Sequence, residues 1–418
     1  MIDRVIVAGG GTGGHLFPGI AVVEELRRRN PRLELLFVGT EKGIEARVIP
    51  ELGERFETLM VRPLKGRAPK ELLRNVGLLP QAAKQSMDIL RAFRPDLVIG
   101  VGGYASGPLL AAAAARGVPT AILEQNAHVG MTNRVLARVV GRAYISFEET
   151  KERFPRRSVR SCGNPIRRSF VRVAQEAAAD PEGFEARASG VLVLGGSQGA
   201  RAINAAVPRA LARVVAELGE MEIVHQTGAN ELAAVEGQYR ELGLSARVVP
   251  FIDDMARKLS RAQLVIGRAG ATSVAELSAI GRPSILVPYP YAADDHQTKN
   301  AQALERGGAA ICLPQDELEA ERLFKEAEAI LGDRERRRAM AQASRNHGKP
   351  EAAAAVVDDL CEWLGCPEPP RASPEREDAP KASAPSGLRG TAPYIPRVRG
   401  HRRQSVLPPS QRSLLAQA

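Results

Sequence analysis

The sequence is poor in aromatic residues and in long apolar runs, and each shortage excludes a class of protein. Phe, Trp and Tyr make up 4% of its 418 residues. Nucleic-acid-binding surfaces interleave basic residues with aromatic ones, so we expect no nucleic-acid partner. No stretch approaches the roughly 20 apolar residues that span a bilayer. Residues 1–8 lead into a strand without the layout of a signal peptide.

Cysteine is also scarce, with Cys162, Cys312, Cys361 and Cys366 as the full set. Only the last two are near each other, and no second pair or His cluster accompanies them. This pattern does not fit a zinc site. We therefore expect a reduced, cytosolic protein without a bound metal.

The net charge of +10 is unevenly spread. Residues 367–418 carry nine Lys and Arg against four Asp and Glu, so this tail supplies half of the excess. The tail also holds ten of the 29 prolines and few large apolar residues. Such a composition cannot bury enough surface to offset the entropy of ordering, which predicts a disordered Pro/Arg-rich tail.

Short apolar strands alternate with helical runs in both halves of the rest of the chain. This alternation predicts an α/β protein with two Rossmann-like domains, each built on a parallel sheet. The Arg-rich segment 151–168 contains the turn signal GNP and predicts the crossing between domains. A charged helical run is expected over 317–345. The predicted units are an N-terminal domain (1–163), a C-terminal domain (164–348), a helix that packs back toward the first domain (349–366) and the tail (367–418).

Three predicted strands, Val5–Ala8, Asp96–Val101 and Val191–Leu194, each run into a glycine-rich turn. The segments are RVIVAGGGTGGHLFPG (4–19), GVGGYASGP (100–108) and VLVLGGSQGA (191–200). Ligands of open α/β sheets bind beyond the carboxyl ends of the strands, and helix N-termini there favour phosphate. We therefore predict a nucleotide diphosphate between two such corners, one from each domain. Tight packing of strand and helix is the alternative explanation for some of these glycines.

A dehydrogenase is a weaker interpretation of the same pattern. Gly9, Gly11 and Gly14 match the dinucleotide fingerprint, which also needs an acidic residue at the end of the second strand. That strand ends in FVGT (37–40) instead.

Residues 268–301 form a second polar cluster in the C-terminal half. Gly270–Ser273 are predicted to begin a helix whose N–H groups face an anion. Glu276 follows one turn later and is placed to accept the hydroxyls of a ribose, or alternatively to interact with the helix dipole. Asp294 or Asp295 is predicted to cap the next helix.

The ordered motifs of residues 1–364 resemble those of the bacterial MurG family of peptidoglycan N-acetylglucosaminyltransferases. The matching segments are GGGTGGHLFPGIAV, VGGYASGP, LEQNAHVGMTNR, GNPIR, LGGSQGA, FIDDMA and RAGATSVAEL…HQTKNA. The resemblance implies a GT-B fold and inverting transfer of N-acetylglucosamine (GlcNAc) from UDP-GlcNAc to the MurNAc C4 hydroxyl of undecaprenyl-diphosphate-MurNAc-pentapeptide (lipid I). The product is lipid II.

The resemblance also implies roles for individual residues. Those expected to contact UDP-GlcNAc are Thr12, Gly13, Gly14, Asn126, Arg167, Ser197, Ile252, Ala271, Thr272, Glu276 and Gln297. Gly102, Gly103 and Tyr104 are candidates for the acceptor diphosphate.

Inverting transfer needs a base for the acceptor hydroxyl and stabilisation of the departing UDP. His15 is the predicted base, because histidine exchanges protons readily near neutral pH; a purely structural role at the helix start is the alternative. Backbone N–H groups, with Arg167 or Ser197, would stabilise the leaving group. The scheme requires no metal and no cofactor.

A membrane-anchored acceptor implies docking on an anionic membrane surface, at the cytoplasmic face of the inner membrane. Residues 62–85 combine basic and leucine side chains, including Leu78 and Leu79, in a pattern typical of interfacial binding. A core-facing amphipathic helix is the alternative.

Other proteins of cell-wall synthesis and cell division are further candidate partners. The competing functions are another GT-B enzyme that uses UDP-GlcNAc, such as a 2-epimerase or a transferase with a different acceptor, and a non-catalytic nucleotide-sugar-binding protein.

Overall fold

The computed structural model describes residues 2–62, 75, 77–195, 199–292 and 295–366. Both sheets belong to one compact unit, Met1–Pro369. The strands of the N-terminal domain are β1 Arg4–Gly9, β2 Glu34–Gly39, β3 Phe56–Thr58, β4 Leu97–Gly102, β5 Thr120–Glu124, β6 Arg142–Ile145 and β7 Val159–Ser161. Those of the C-terminal domain are β8 Val191–Leu194, β9 Ile223–Gln226, β10 Arg247–Val249, β11 Leu264–Gly267, β12 Ser284–Leu286 and β13 Ala310–Cys312.

Helices connect successive strands in most places. In the first half they are α1 Gly13–Arg29, α2 Glu45–Glu51, α3 Leu79–Phe93, α4 Ser106–Ala115, α5 Met131–Leu136, α6 Arg168–Ala179 and α7 Pro181–Ala186. In the second half they are α8 Arg201–Leu218, α9 Leu232–Glu241, α10 Met255–Arg261, α11 Ala271–Ile280, α12 His296–Arg306, α13 Ala320–Leu331, α14 Arg334–His347 and α15 Ala352–Leu364. Short 3₁₀ turns lie at Glu148–Arg153, Ala229–Glu231 and Gln315–Glu317.

Each domain is built on a parallel sheet. The first has seven strands in the order β3-β2-β1-β4-β5-β6-β7, and the second has six in the order β10-β9-β8-β11-β12-β13. Strand pairing is parallel in both sheets. The central strands are buried on both faces, which explains their unbroken apolar sequences. The predicted fold class, α/β with two Rossmann-like domains, is confirmed.

Strand order reverses between β1 and β4 in the first sheet and between β8 and β11 in the second. Such switch points open a crevice at the carboxyl ends of the strands. Gly9 and Gly102 are paired at the first switch point, across a break in the regular register. The glycine-rich loops after β1 and β4 therefore lie where this fold binds ligands.

The last helix, α15, packs against α1 of the N-terminal domain. Val356, Val357 and Leu360 are buried in the same core cluster as β1 and α1. Asp359 adds polar contacts, because its carboxylate accepts hydrogen bonds from Arg142 Nε at 2.8 Å, Tyr144 OH at 2.8 Å and Arg160 Nε at 2.7 Å. Burial raises the pKa of Asp359, but these hydrogen bonds outweigh it and leave the pKa below its usual value.

We expect Asp359→Asn to lower the free energy of unfolding by about 2 kcal/mol, because two charge-assisted hydrogen bonds are lost. The wild-type contribution is present above the ordinary aspartate pKa and disappears as the pH falls through the lowered one. Thermal unfolding at pH 7 and below pH 4 measures both effects. Asp358→Asn is the matched control, since its side chain is 67% exposed and its ion pair contributes under about 1 kcal/mol. Equal losses in the two variants would contradict this account.

The structure corrects the sequence prediction in three places. The segment 151–168 is not only a crossing, because β7 lies within it at the edge of the first sheet. The run 317–345 is two helices, α13 and α14, and Asp333 caps the second by accepting the N–H groups of Glu335 and Arg336. The short strand β3 was not predicted. The predictions for residues 63–74 and for the 367–418 tail lie outside the described residues.

Candidate active site

A cavity of about 1750 Å³ lies between the two domains. Ligand pockets typically have volumes of about 300–1,000 Å³, so this one has room for more than one ligand. Its lining includes the loop Gly9–His15, called the first glycine loop below, together with Gly102–Tyr104, Arg167 and the first turns of α11. The two halves of the sequence therefore contribute to one cavity.

The first glycine loop is packed against the loop that follows β4. A Cβ at Gly9 would overlap the Gly102 carbonyl oxygen, and one at Gly103 would lie 2.7 Å from the Gly10 carbonyl oxygen. A Cβ at Gly102, where φ is +96°, would lie 2.8 Å from Nδ1 of His15. Close packing therefore accounts for these glycines whether or not they also contact a ligand.

A direct hydrogen bond joins the two domains within the lining of the cavity. α1 contains Pro18, which has no N–H to donate to the carbonyl of Gly14 four residues earlier. That carbonyl instead accepts the hydroxyl of Thr272 at 3.0 Å. The missing bond in α1 thus provides the contact point for the first turn of α11.

His15 is half-buried, and its orientation is set by Gln125. Nδ1 of His15 lies 3.2 Å from Gln125 Oε1, and Gln125 Nε2 donates to the Val101 carbonyl at 3.1 Å. Since Oε1 of Gln125 can only accept, Nδ1 of His15 carries the hydrogen. In the neutral imidazole, Nε2 is then the proton acceptor. The contact with Gln125 thus selects the tautomer of neutral His15 in which Nε2 can accept a proton.

The EQN loop after β5 is ordered by Glu124. Its carboxylate accepts the N–H groups of Asn126 at 3.2 Å and Gly130 at 3.0 Å, and the Asn133 amide at 3.0 Å. Asn126 lines the cavity at the start of this loop. Tyr104 lines the same cavity and is exposed.

Glu276 and Arg167, both expected to contact the nucleotide, pair with each other at 3.1 Å. The Arg167 guanidinium also lies over the rings of Phe17, at 4.5 Å, and Phe170, at 4.8 Å. Burial raises the pKa of Glu276 to about 7, and Arg167 opposes that shift. Glu276 therefore changes its charge near neutral pH within the cleft.

The remaining predicted residues of the C-terminal domain also line the cavity. Ile252 is buried, Ala271 begins α11, and Gln297 accepts the Tyr289 N–H through Oε1 at 3.0 Å. Asp295 occupies the N-cap position of α12 without capping it, since its carboxylate accepts the Thr298 hydroxyl at 2.6 Å. Ser197 and Asp294 lie outside the described residues.

Several cavity residues were not found from the sequence. They are Phe17, Glu45, Phe251, Tyr289 and Tyr291. Gln125, which orients His15, was within a recognised motif but was given no role. Leu78 and Leu79, by contrast, do not line this cavity.

The described part of the chain contains no recognisable metal-binding site. No group of three or more His, Cys, Asp and Glu side chains there is placed to hold an ion. Likewise, none of the described helices is long and apolar enough to cross a membrane.

Two family models match the chain. The glycosyltransferase family 28 N-terminal domain matches residues 5–145, and the family's C-terminal domain matches residues 190–356. These ranges contain the first glycine loop and the start of α11, which both line the cavity. The fold and the site define a two-domain glycosyltransferase of the GT-B class.

Curated relatives show which family of GT-B glycosyltransferases the chain resembles. The chain is 47% identical over 361 residues to a protein of Anaeromyxobacter dehalogenans strain 2CP-1, covering 86% of this chain and 93% of that one. It is 46% identical over 355 residues to a protein of Myxococcus xanthus strain DK1622, covering 85% and 91%. Both are named UDP-N-acetylglucosamine--N-acetylmuramyl-(pentapeptide) pyrophosphoryl-undecaprenol N-acetylglucosamine transferase. The chain belongs to this family, the MurG family.

Solved structures agree with this placement. MurG of Acinetobacter baumannii superposes with a TM-score of 0.68 at 30% identity, over 86% of this chain and 99% of that one. A putative UDP-N-acetylglucosamine 2-epimerase of Listeria monocytogenes gives a TM-score of 0.62 at 15% identity, over 88% and 99%. The second likeness shows only a shared fold.

Proposed function

We propose that the protein carries out its family's reaction in the cleft between its two domains. It transfers GlcNAc from UDP-GlcNAc to lipid I in peptidoglycan synthesis, on which cell shape and division depend. The observation that carries the proposal is the hydrogen bond from Thr272 to Gly14, because it brings the first turn of α11 against the loop that bears His15. A donor bound at one domain and an acceptor at the other would meet there.

The C-terminal domain holds the donor in this scheme. α11 is ten residues long and has no acidic side chain in its first turn, so its free N–H groups and dipole are available to the diphosphate. Glu276 accepts the ribose hydroxyls, Ile252 lies beside the uracil, and Gln297 contacts the sugar.

The N-terminal domain activates the acceptor. Nε2 of His15 takes the proton of the MurNAc C4 hydroxyl, and the oxygen attacks C1 of GlcNAc as the bond to UDP breaks. Attack opposite the leaving group inverts the configuration at C1. The N–H groups of α11 and the Arg167 guanidinium receive the charge that develops on UDP. Since these groups supply the stabilisation, the scheme needs no metal, and we expect activity to persist in EDTA.

Purified protein with labelled UDP-GlcNAc and a lipid I analogue tests the proposed function. Transfer of label to the analogue with release of UDP is the expected result. Conversion of UDP-GlcNAc to its 2-epimer, or binding without release of UDP, would contradict it.

The affinity for UDP-GlcNAc should depend on pH through Glu276. The ionised carboxylate accepts hydroxyl hydrogen bonds at both oxygens, whereas the protonated form is uncharged and donates at one of them, so affinity should fall as the pH drops below about 7. The expected loss approaches about tenfold per pH unit. Calorimetric titration between pH 5.5 and 8.5 measures it, since a diphosphate diester has no group that titrates there.

Glu276→Gln is the companion variant for this measurement. It should bind UDP-GlcNAc weakly at every pH in the range, and its affinity should not change with pH. A flat wild-type profile would exclude Glu276 as the group responsible.

We also propose that the N-terminal domain docks on an anionic membrane surface through the segment 62–85, at the cytoplasmic face of the inner membrane. Two described residues support this: Arg62 and Leu79 are both exposed. Replacing Leu78 and Leu79 with Ser should weaken binding to vesicles that contain phosphatidylglycerol. Leu242→Ser is the control, because Leu242 is 40% exposed, close to the 39% of Leu79, and lies in the other domain. Unchanged vesicle binding by the double variant would contradict the assignment.

A further inference from the structure

Glu45 has a buried carboxylate beside the first glycine loop. The mechanism proposed above gives this carboxylate no role. Glu45 is the first residue of α2 and is 1% exposed. Its Oε2 accepts the N–H of Gly11 at 2.6 Å, while Oε1 accepts the N–H of Thr40 at 2.9 Å and the Thr40 hydroxyl at 3.0 Å. One side chain thus ties the loop after β1 to the loop after β2.

The sequence leaves space for this carboxylate with three glycines. A Cβ at Gly10, Gly39 or Gly43 would overlap the Glu45 side chain. At Gly10 the backbone also has φ of +135°, which a larger residue rarely adopts. Gly10 of the GGGTGG motif is therefore required by Glu45 and does not need a ligand to explain it.

Hydrogen bonds fix the directions of two N–H groups in the first glycine loop. Gly10 donates to the Gly102 carbonyl at 3.1 Å, and Gly11 donates to Glu45. Because the N–H groups of Gly10 and Gly11 are both hydrogen-bonded, the backbone of the loop is fixed four residues before His15. A shift of this anchor would move the imidazole relative to the acceptor hydroxyl.

We propose that Glu45 is a positioning residue for transfer, which holds the first glycine loop in the shape that presents His15 to the acceptor. The inference rests on the proposed role of His15. Reactions between positioned groups lose rate steeply when the geometry shifts by about 1 Å. Glu45 therefore acts on the chemical step and not on binding of the nucleotide, whose proposed contacts lie mainly in the other domain.

Glu45→Gln tests this, because it keeps the volume and replaces one accepting oxygen with a donor that faces N–H groups. With UDP-GlcNAc and the lipid I analogue, kcat should fall by about 10- to 100-fold. The Kd for UDP should stay within about twofold. Glu41→Gln, an exposed carboxylate in the same β2–α2 connection, should leave both unchanged. A kcat for Glu45→Gln within twofold of wild type would overturn the proposal.

A double-mutant cycle with His15→Ala shows whether Glu45 acts through His15. If it does, Glu45→Gln costs little more in the His15→Ala background; full additivity would overturn the inference and leave the role of His15 intact. Near-normal turnover by His15→Ala alone would instead refute the proposed base. Should Glu45→Gln not fold, Thr40→Val removes one donor to Glu45 and should lower kcat several-fold at unchanged UDP affinity. An unaltered kcat in Thr40→Val would then overturn the proposal.

Discussion

His15→Ala should lower kcat by about 10²- to 10⁴-fold, the usual contribution of a general base. The alanine cannot take the proton of the acceptor hydroxyl, and the first glycine loop contains no second histidine. Steady-state kinetics with UDP-GlcNAc and a lipid I analogue measure the loss. Because the proposed contacts to the nucleotide lie mainly in the C-terminal domain, calorimetry should find the Kd for UDP close to that of wild type.

The hydrogen bond from Nδ1 of His15 to Gln125 Oε1 makes this prediction sharper. Gln125→Leu leaves the imidazole in place but removes the partner that selects its tautomer, so we expect an intermediate loss of kcat. A structural role for His15 would predict a different result, in which His15→Ala loses thermal stability and retains turnover.

Arg282→Ala should destabilise the C-terminal domain by about 3–5 kcal/mol, the cost of breaking a buried ion pair. The Arg282 side chain is fully buried. It donates to Glu185 at 3.0 Å, to the Leu259 carbonyl at 3.1 Å and to the Ser260 carbonyl. The two carbonyls belong to the last turn of α10, where helices leave acceptors unsatisfied. The substitution would leave these groups without a hydrogen-bond partner. It would also leave a cavity above the Phe184 ring, whose centroid lies 4.2 Å from the Arg282 guanidinium carbon.

Urea unfolding gives the free energy for Arg282→Ala and for its control. Arg261→Ala removes an exposed arginine from the end of α10, and we expect a change within about 0.5 kcal/mol. Arg282→Met should remain destabilising, because an apolar side chain fills the space without donating to the carbonyls. A loss under about 1 kcal/mol for Arg282→Ala would show that water replaces the guanidinium.

The sequence predicted the central strands and the edge strands of the second sheet, but it missed both edge strands of the first sheet. β8 was placed at Val191–Leu194, as observed, because a strand buried on both faces reads as an unbroken apolar run. β3 and β7 were missed, because each is three residues long and contains two polar residues. Phe56–Thr58 and Val159–Ser161 contain no apolar run of this kind.

The sequence alone located the glycine-bearing corner after β1, and most of the residues predicted to contact UDP-GlcNAc line the cavity. These features are local, because strand, turn and helix N-terminus follow one another within about ten residues. Only the tertiary structure decided which groups meet. Glu45 reaches Gly11 across 34 positions, Gln125 reaches His15 across 110, and Thr272 reaches Gly14 across 258. Hydrogen bonds of this kind depend on how the strands are ordered in each sheet and how the domains abut, and neither is encoded in any local pattern of residues.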